Sequence, residues 1–290
     1  MAINSNAVKA LGRYGKLVRF SHSVFALPFA LSGLALATLE TPFRWEVLLW
    51  VAVAMVAARS AAMGFNRIVD RHYDARNPRT ITRQLPSGGV TLPGAWVLVF
   101  FSSAIFFGAA WMLNPLCGWL SPFALAILLF YSVTKRFTWT SQFWLGLSLG
   151  ISPIGAWMAL TGAFDARILP MSAAVLLWVA GFDIFYSCLD FEFDRAEKLH
   201  SVPQRWGITG GIWIARVMHL LTAVLLIATH WLYPFGPGYL IGVIVVIAIL
   251  TVEDLMVRPH DLSRVMTAFN LNGPVSIVYY FAVLVGIIWR

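Results

Sequence analysis

Charge is what this sequence has least of. Lys, Arg, Asp and Glu make up 12% of its 290 residues, about half the share of an ordinary soluble domain. Cysteine is nearly missing: Cys117 and Cys188 are the only two, and no Cys/His spacing suits a structural metal. They fall at opposite ends of apolar runs, so no disulfide between them is expected. No Walker-type loop, GxSxG elbow or HExxH helix occurs, which removes the chemistries those motifs carry. Short alternating segments are also missing, and with them a β-barrel.

What is present is long apolar runs, separated by short polar breaks. Hydrophobic residues make up 59% of the chain and mean hydropathy is +0.76. A run of about 20 apolar residues spans a bilayer as a helix. About nine such runs occur, at 17–39, 45–66, 93–113, 117–135, 142–162, 168–189, 209–232, 237–254 and 267–289. The expected fold class is all-α: one polytopic membrane bundle of about nine transmembrane helices, a single domain over 1–290. Residues 1–16 read as a retained basic segment rather than a cleavable signal. Val8 to Phe20 carries Lys9, Arg13, Lys16 and Arg19 among apolar residues, a pattern suited to a helix on an anionic membrane surface.

The basic residues set the orientation. With a cytoplasmic N-terminus, the tail and the connections at 67–83, 135–136, 195–205 and 258–264 hold nearly all Lys and Arg. The opposite side holds only Arg44, Arg167 and Arg290, while Arg59 and Arg216 lie within spans. That is a strong positive-inside bias, and it points to the cell inner (cytoplasmic) membrane. It carries no implication of nucleic-acid binding, since such loops are expected of any protein of this class. The acids follow the same asymmetry, so the active face is expected on the cytoplasmic side.

Acidic residues at membrane depth are costly and mark functional sites by default. Two clusters occur: Asn66, Asp70 and Asp74 in NRIVDRHYD, and Asp183, Asp190 and Asp194 in DIFYSCLDFEFD. Steps of four, and of seven and four, place each series on one helix face. The second and sixth spans run in the same direction, so both clusters meet one interface. Like charges at this spacing repel and call for a cation. Carboxylates suit Mg²⁺, which takes one or two of them and shares substrate phosphates. Arg67, Arg71, Arg76, Arg79, Arg83, Lys135 and Arg136 lie close by in sequence, and guanidinium groups suit phosphate oxygens. The pattern predicts a divalent-metal and diphosphate site. Acids gathered at one end argue against a mid-membrane transport relay.

These motifs carry a resemblance. Asn66, Asp70 and Asp74 match NxxxDxxxD, and Asp183, Tyr186, Asp190 and Asp194 match DxxYxxxDxxxD. With YSVTKRFTW, LHSVPQRWG and FSHSVFALPFALSG, they make the chain resemble, over nearly its whole length, the UbiA superfamily of intramembrane prenyltransferases, the 4-hydroxybenzoate polyprenyltransferase branch in particular. The resemblance implies transfer of a polyprenyl group from polyprenyl diphosphate to a ring carbon of a hydroxylated aromatic acid in quinone biosynthesis. It implies Mg²⁺ at Asp70, Asp74, Asp190 and Asp194 with Asn66, the two clusters suggesting two ions. Arg67, Arg71, Lys135 and Arg136 are candidates for the diphosphate, and Arg79 and Arg83 for the acceptor carboxylate. Asp183 and Tyr186 would orient the acceptor hydroxyl or face the allylic cation. His22 and His72 are weaker candidates. The loop 75–92 is expected to cap the site, with 195–208 opposite it.

The first acceptor expected is 4-hydroxybenzoate. FSHSVFALPFALSG is typical of a UbiA-like subgroup, some of whose members are linked to menaquinone made through futalosine. The alternative acceptor is therefore 1,4-dihydroxy-6-naphthoate, with homogentisate or a haem precursor behind it. From other classes, a secondary transporter of an anionic metabolite would use the arginines as its substrate site, and a prenyl-lipid scaffold would tolerate loss of the second motif.

Overall fold

The computed structural model describes residues 12, 14, 15, 17 and 27–290. Most of the basic segment 1–16, with Lys9, Arg13 and Lys16, and residues 18–26 of the first span, with Arg19 and His22, fall outside the described residues. Among those described, every named element is helical: α1 (Leu27–Ala37), α2 (Trp45–Arg76), α3 (Leu92–Leu113), α4 (Pro115–Thr134), α5 (Ser141–Thr161), α6 (Leu169–Ser187), α7 (Phe191–Ala196), α8 (Val202–Thr229), α9 (Pro237–Met256), α10 (Val265–Asn270) and α11 (Asn272–Ile288). Eight helices or helix runs are long and apolar enough to cross a membrane.

Helix starts follow local chemistry. The Thr91 hydroxyl accepts from the Gly94 N–H, and the Asn114 side chain from the Cys117 N–H, each followed by proline in the first turn. These are capping devices for the orphan N–H groups of a helix start. The connections at 77–91, 135–140, 188–201 and 257–264 share one end of the bundle. At the other end Trp45, Trp119, Trp231 and Trp289 are exposed, as an interfacial aromatic belt requires.

The structure refines three expected boundaries. The second span was expected at 45–66, but α2 runs for 32 residues to Arg76, about 48 Å against a hydrocarbon core of about 30 Å. Its last three turns therefore stand clear of the apolar zone and carry Asn66, Asp70 and Asp74. The sixth span does not continue as one α-helix through Asp194. After Ser187 it tightens into a 3-10 turn, Cys188–Asp190, before α7, and the tighter winding changes the face presented by each later residue. The ninth span is broken at Leu271 between α10 and α11.

The main core gathers α1, α5, α6, α8, α9 and α11 around Trp157, Trp178, Tyr239 and Tyr279. Close helix approach supports it. A Cβ on Gly150 would stand 2.8 Å from the Ser172 carbonyl oxygen of α6. α8 is two helices that meet at a kink at Gly207, whose φ of 73° is open to glycine at little cost.

Candidate functional site

Two cavities meet inside the bundle. The first, about 290 Å³, is polar and lies at the end that carries the 77–91 connection. Asn66, Asp70 and Asp74 line it from α2, and Asp183, Tyr186, Asp190 and Asp194 from α6 and the turns that follow. Arg59, Arg67, Arg79, Arg83 and Lys135 bring positive charge to the same walls.

Each α2 acid is held by cations. Asp70 is 3% exposed. Its Oδ2 lies 3.1 Å from Lys135 Nζ and accepts from Asn66 Nδ2 at 3.2 Å. Arg136 reaches its Oδ1 at 3.4 Å and donates to the Val69 carbonyl at 2.8 Å. Asp74 Oδ1 accepts from Arg83 at 2.7 Å. Its Oδ2 is buried without a hydrogen bond among the described residues, 3.9 Å from Arg67 Nη1.

On the facing wall, Asp190 receives both Nε and Nη2 of Arg79, and Asn77 Nδ2 at 3.0 Å. The Arg79 guanidinium also lies over the Tyr186 ring, 4.5 Å from its centre. Burial opposes the charge on Arg79, but the hydrogen bond and field of Asp190 outweigh it and raise its pKa. The loop thus closes over the cavity through Asn77, Arg79, Thr80 and Arg83, while Arg76 pairs with Glu197 at 2.8 Å across its outer rim. From the opposite segment His200 and Ser201 line the cavity, and the His200 N–H donates to the Lys135 carbonyl at 2.6 Å.

Most of the residues expected from the sequence are brought together here, with two departures. Arg71 does not reach the cavity. It is one residue past Asp70, about 100° round the helix, and its Nη1 returns to the Ile68 carbonyl at 3.0 Å. With His72 it lines a separate surface depression beside Leu85 and Val90. Arg136 touches Asp70 from behind without lining the cavity.

Several lining residues carried no expectation. Arg59 precedes Asn66 by seven, two helical turns on the same face, and that spacing was the available signal. Asn77, Gln142 and Phe269 gave none, because their approach depends on how the helix ends pack.

The acids and amides are hard oxygen donors. Among the described residues no three His, Cys, Asp or Glu converge on one point. That arrangement still fits Mg²⁺, which needs one or two carboxylates per ion and completes its shell with water and phosphate. The buried, unbonded Asp74 Oδ2 is the kind of oxygen such an ion would satisfy. Asp70 and Asp74 on one wall and Asp190 and Asp194 on the other, with Asn66, are the residues that would hold it.

The second cavity, about 380 Å³, is apolar and lies between α2, α4 and α5. Arg59, Met63, Tyr131, Leu145 and Leu149 line both cavities, so the two adjoin. Val56, Leu120 and Phe123 on its wall are exposed on the outside of the bundle, giving the cavity a side opening toward lipid.

Comparison with known proteins places this geometry. The UbiA prenyltransferase family matches over residues 26–281. The 4-hydroxybenzoate octaprenyltransferase of Vibrio parahaemolyticus is 27% identical over 272 residues, covering 94% of this chain and 93% of that protein. The one from Pectobacterium atrosepticum is 27% identical over 277 residues, with 94% and 96% covered. The apo structure of a UbiA homolog from Aeropyrum pernix superposes with a TM-score of 0.85 at 35% identity, covering 92% of this chain and 98% of that one. A UbiA homolog from Archaeoglobus fulgidus, bound to DMAPP and Mg²⁺, shares the fold with a TM-score of 0.73 at 17% identity, over 94% and 99%. The chain belongs to the UbiA prenyltransferase family and is a multi-pass membrane protein.

Proposed function

We propose that this prenyltransferase moves a polyprenyl group from its diphosphate to a ring carbon of 4-hydroxybenzoate, in quinone biosynthesis. One observation carries the reading: a cavity lined by both acidic clusters and their cations adjoins an apolar cavity whose wall includes residues exposed on the outside of the bundle. A prenyl diphosphate is an amphiphile with the same division. The relatives named as 4-hydroxybenzoate octaprenyltransferases support the acceptor.

In this reading the diphosphate lies between α2 and the 188–194 segment, and the tail follows α2, α4 and α5. Bound Mg²⁺ would neutralise charge on the departing diphosphate. Arg67, Arg83 and Lys135 add fixed cations at the same wall, effective because they are held in place within a partly enclosed cavity. The allylic C–O bond breaks, and its electron pair leaves with the diphosphate. The Tyr186 ring stabilises the allylic carbon through its π face, and a ring carbon of the acceptor forms the new C–C bond. The displaced ring proton passes to Asp183. Arg59 lines both cavities, where its guanidinium can pair with the acceptor carboxylate. The loop 77–91 excludes water, which would otherwise trap the cation. The basic connections at the site end support a site on the cytoplasmic side of the inner membrane.

Purified protein in nanodiscs, given Mg²⁺, a short prenyl diphosphate and either 4-hydroxybenzoate or 1,4-dihydroxy-6-naphthoate, tests this by product mass. Prenylated 4-hydroxybenzoate, lost with EDTA, is expected. Product from the naphthoate alone moves the acceptor assignment to the menaquinone route. Uptake into vesicles without any product overturns the enzymatic reading.

A further inference from the structure

A buried polar hub stands behind the polar cavity without lining it. Asn272, fully buried at the start of α11, accepts the Trp178 indole N–H at 2.7 Å. Its amide donates to Glu253 Oε1 at 3.2 Å and to the Phe269 carbonyl at 3.0 Å. An indole N–H can only donate and a carboxylate can only accept, so the amide has a single orientation. Glu253 is 1% exposed, and its Oε2 has no hydrogen bond among the described residues. A carboxylate at that depth is expensive, and fold stability alone is a weak reason to keep one.

What the hub holds is a set of rings. Phe269, gripped through its carbonyl, meets Phe182 edge-on at 5.5 Å and Tyr186 at 5.1 Å. Trp178, gripped through its N–H, meets Phe182 edge-on at 5.1 Å. Phe182, Tyr186 and Phe269 line the polar cavity and not the apolar one. They come from α6 and α10, whereas the apolar cavity is built by α2, α4 and α5. The two walls separate the requirements of the two substrates.

We propose that Asn272 is a positioning residue for the acceptor. It fixes Phe269 and, through Trp178, Phe182, so that with Tyr186 they form a slot for a planar aromatic ring. Aromatic faces and edges at these separations favour a third ring in the same cluster. This assignment rests on the aromatic-acceptor reading above. It makes Asn272 matter to the acceptor and not to the prenyl donor, a split that a purely structural residue would not produce.

Steady-state prenylation in nanodiscs, with both substrates varied, tests it. In Asn272→Leu the acceptor KM should rise about tenfold or more, with the donor KM and the affinity for an unreactive prenyl thiodiphosphate kept within about twofold. Trp178→Phe keeps an aromatic ring and removes the N–H donor with the five-membered ring that carries it, so a rise of about threefold to tenfold in acceptor KM with the donor KM unchanged is expected, and this variant decides the matter if Asn272→Leu does not fold. Acceptor and donor constants that worsen together, or an acceptor KM that stays put in a folded variant, overturn the positioning role alone. An unaltered protein that prenylates neither aromatic acid overturns the aromatic reading, and the slot falls with it.

Discussion

The guanidinium of Arg79 covers one face of the Tyr186 ring, 4.5 Å from its centre, while gripping both oxygens of Asp190. One cation thus occupies two things the proposed reaction would use: a carboxylate proposed to hold the metal and a π face. Arg79 belongs to the loop over the cavity, so it can trade Asp190 for a phosphate when the donor arrives. In Arg79→Ala the affinity for inorganic diphosphate with Mg²⁺ should fall. Charge-assisted hydrogen bonds are worth about 1.5–3 kcal/mol, or about ten- to a hundredfold. Binding of Mg²⁺ alone should not weaken, since its competitor at Asp190 is gone. Titration calorimetry on the purified protein measures both, and an unchanged diphosphate affinity would count against the trade.

Asp70 is the acid most fully enclosed by partners: Lys135, Arg136 and Asn66 all reach it. Asp70→Asn keeps the shape and a hydrogen-bonding side chain but removes the charge. Turnover should drop by about a thousandfold, the scale of losing a principal electrostatic group. Membrane insertion should be normal, because Lys135 and Arg136 are each 32% exposed and can turn to water instead. Product mass and detergent-extracted yield separate the two effects. Residual turnover above about a tenth of the original would show that Asp70 holds no essential ion.

The acidic clusters were legible because helix periodicity is a local rule. Steps of four placed Asn66, Asp70 and Asp74 on one face, and the cavity confirms that face. By the same rule Arg71, one residue on from Asp70, is turned away from the cavity. Periodicity did not foresee the 3-10 turn at Cys188–Asp190. Nothing local required it, although the acids on both sides of it still reach the cavity. Asn77, Phe269 and Asn272 were invisible, since each owes its role to a residue distant in sequence. Arg59 was visible but was counted only as a charge within a span.

Removing the divalent metal should silence the protein in two distinct ways. Chelation with EDTA should stop product formation, and it should also abolish diphosphate binding, because the α2 acids would then face phosphate with no metal ion between them. Added Mg²⁺ should restore both. Asp74→Ala takes away a carboxylate that has one buried oxygen without a hydrogen bond. It should raise the Mg²⁺ concentration needed for half-maximal diphosphate binding by about tenfold. Binding that survives EDTA would assign the diphosphate to the arginines and Lys135 alone.

Two glycines of α5 offer a test of the tail route, because they differ in what surrounds them. Gly155 lines the apolar cavity, and a Cβ there would meet nothing within 4 Å. Gly146 faces α6, where a Cβ would run into the Leu176 carbonyl oxygen. Gly155→Phe should therefore fold, since its ring enters open space, and should narrow the passage along α2 and α4. Turnover with dimethylallyl diphosphate should stay within about threefold, while kcat/KM for an octaprenyl donor falls by about tenfold or more. Gly146→Ala makes the contrasting case. Overpacking against a backbone atom costs about 1–3 kcal/mol, and the thermal midpoint should drop with no change in donor-length preference. If Gly155→Phe lowers activity equally for short and long donors, the tail does not run through this cavity, and the side opening by Leu120 and Phe123 serves another purpose.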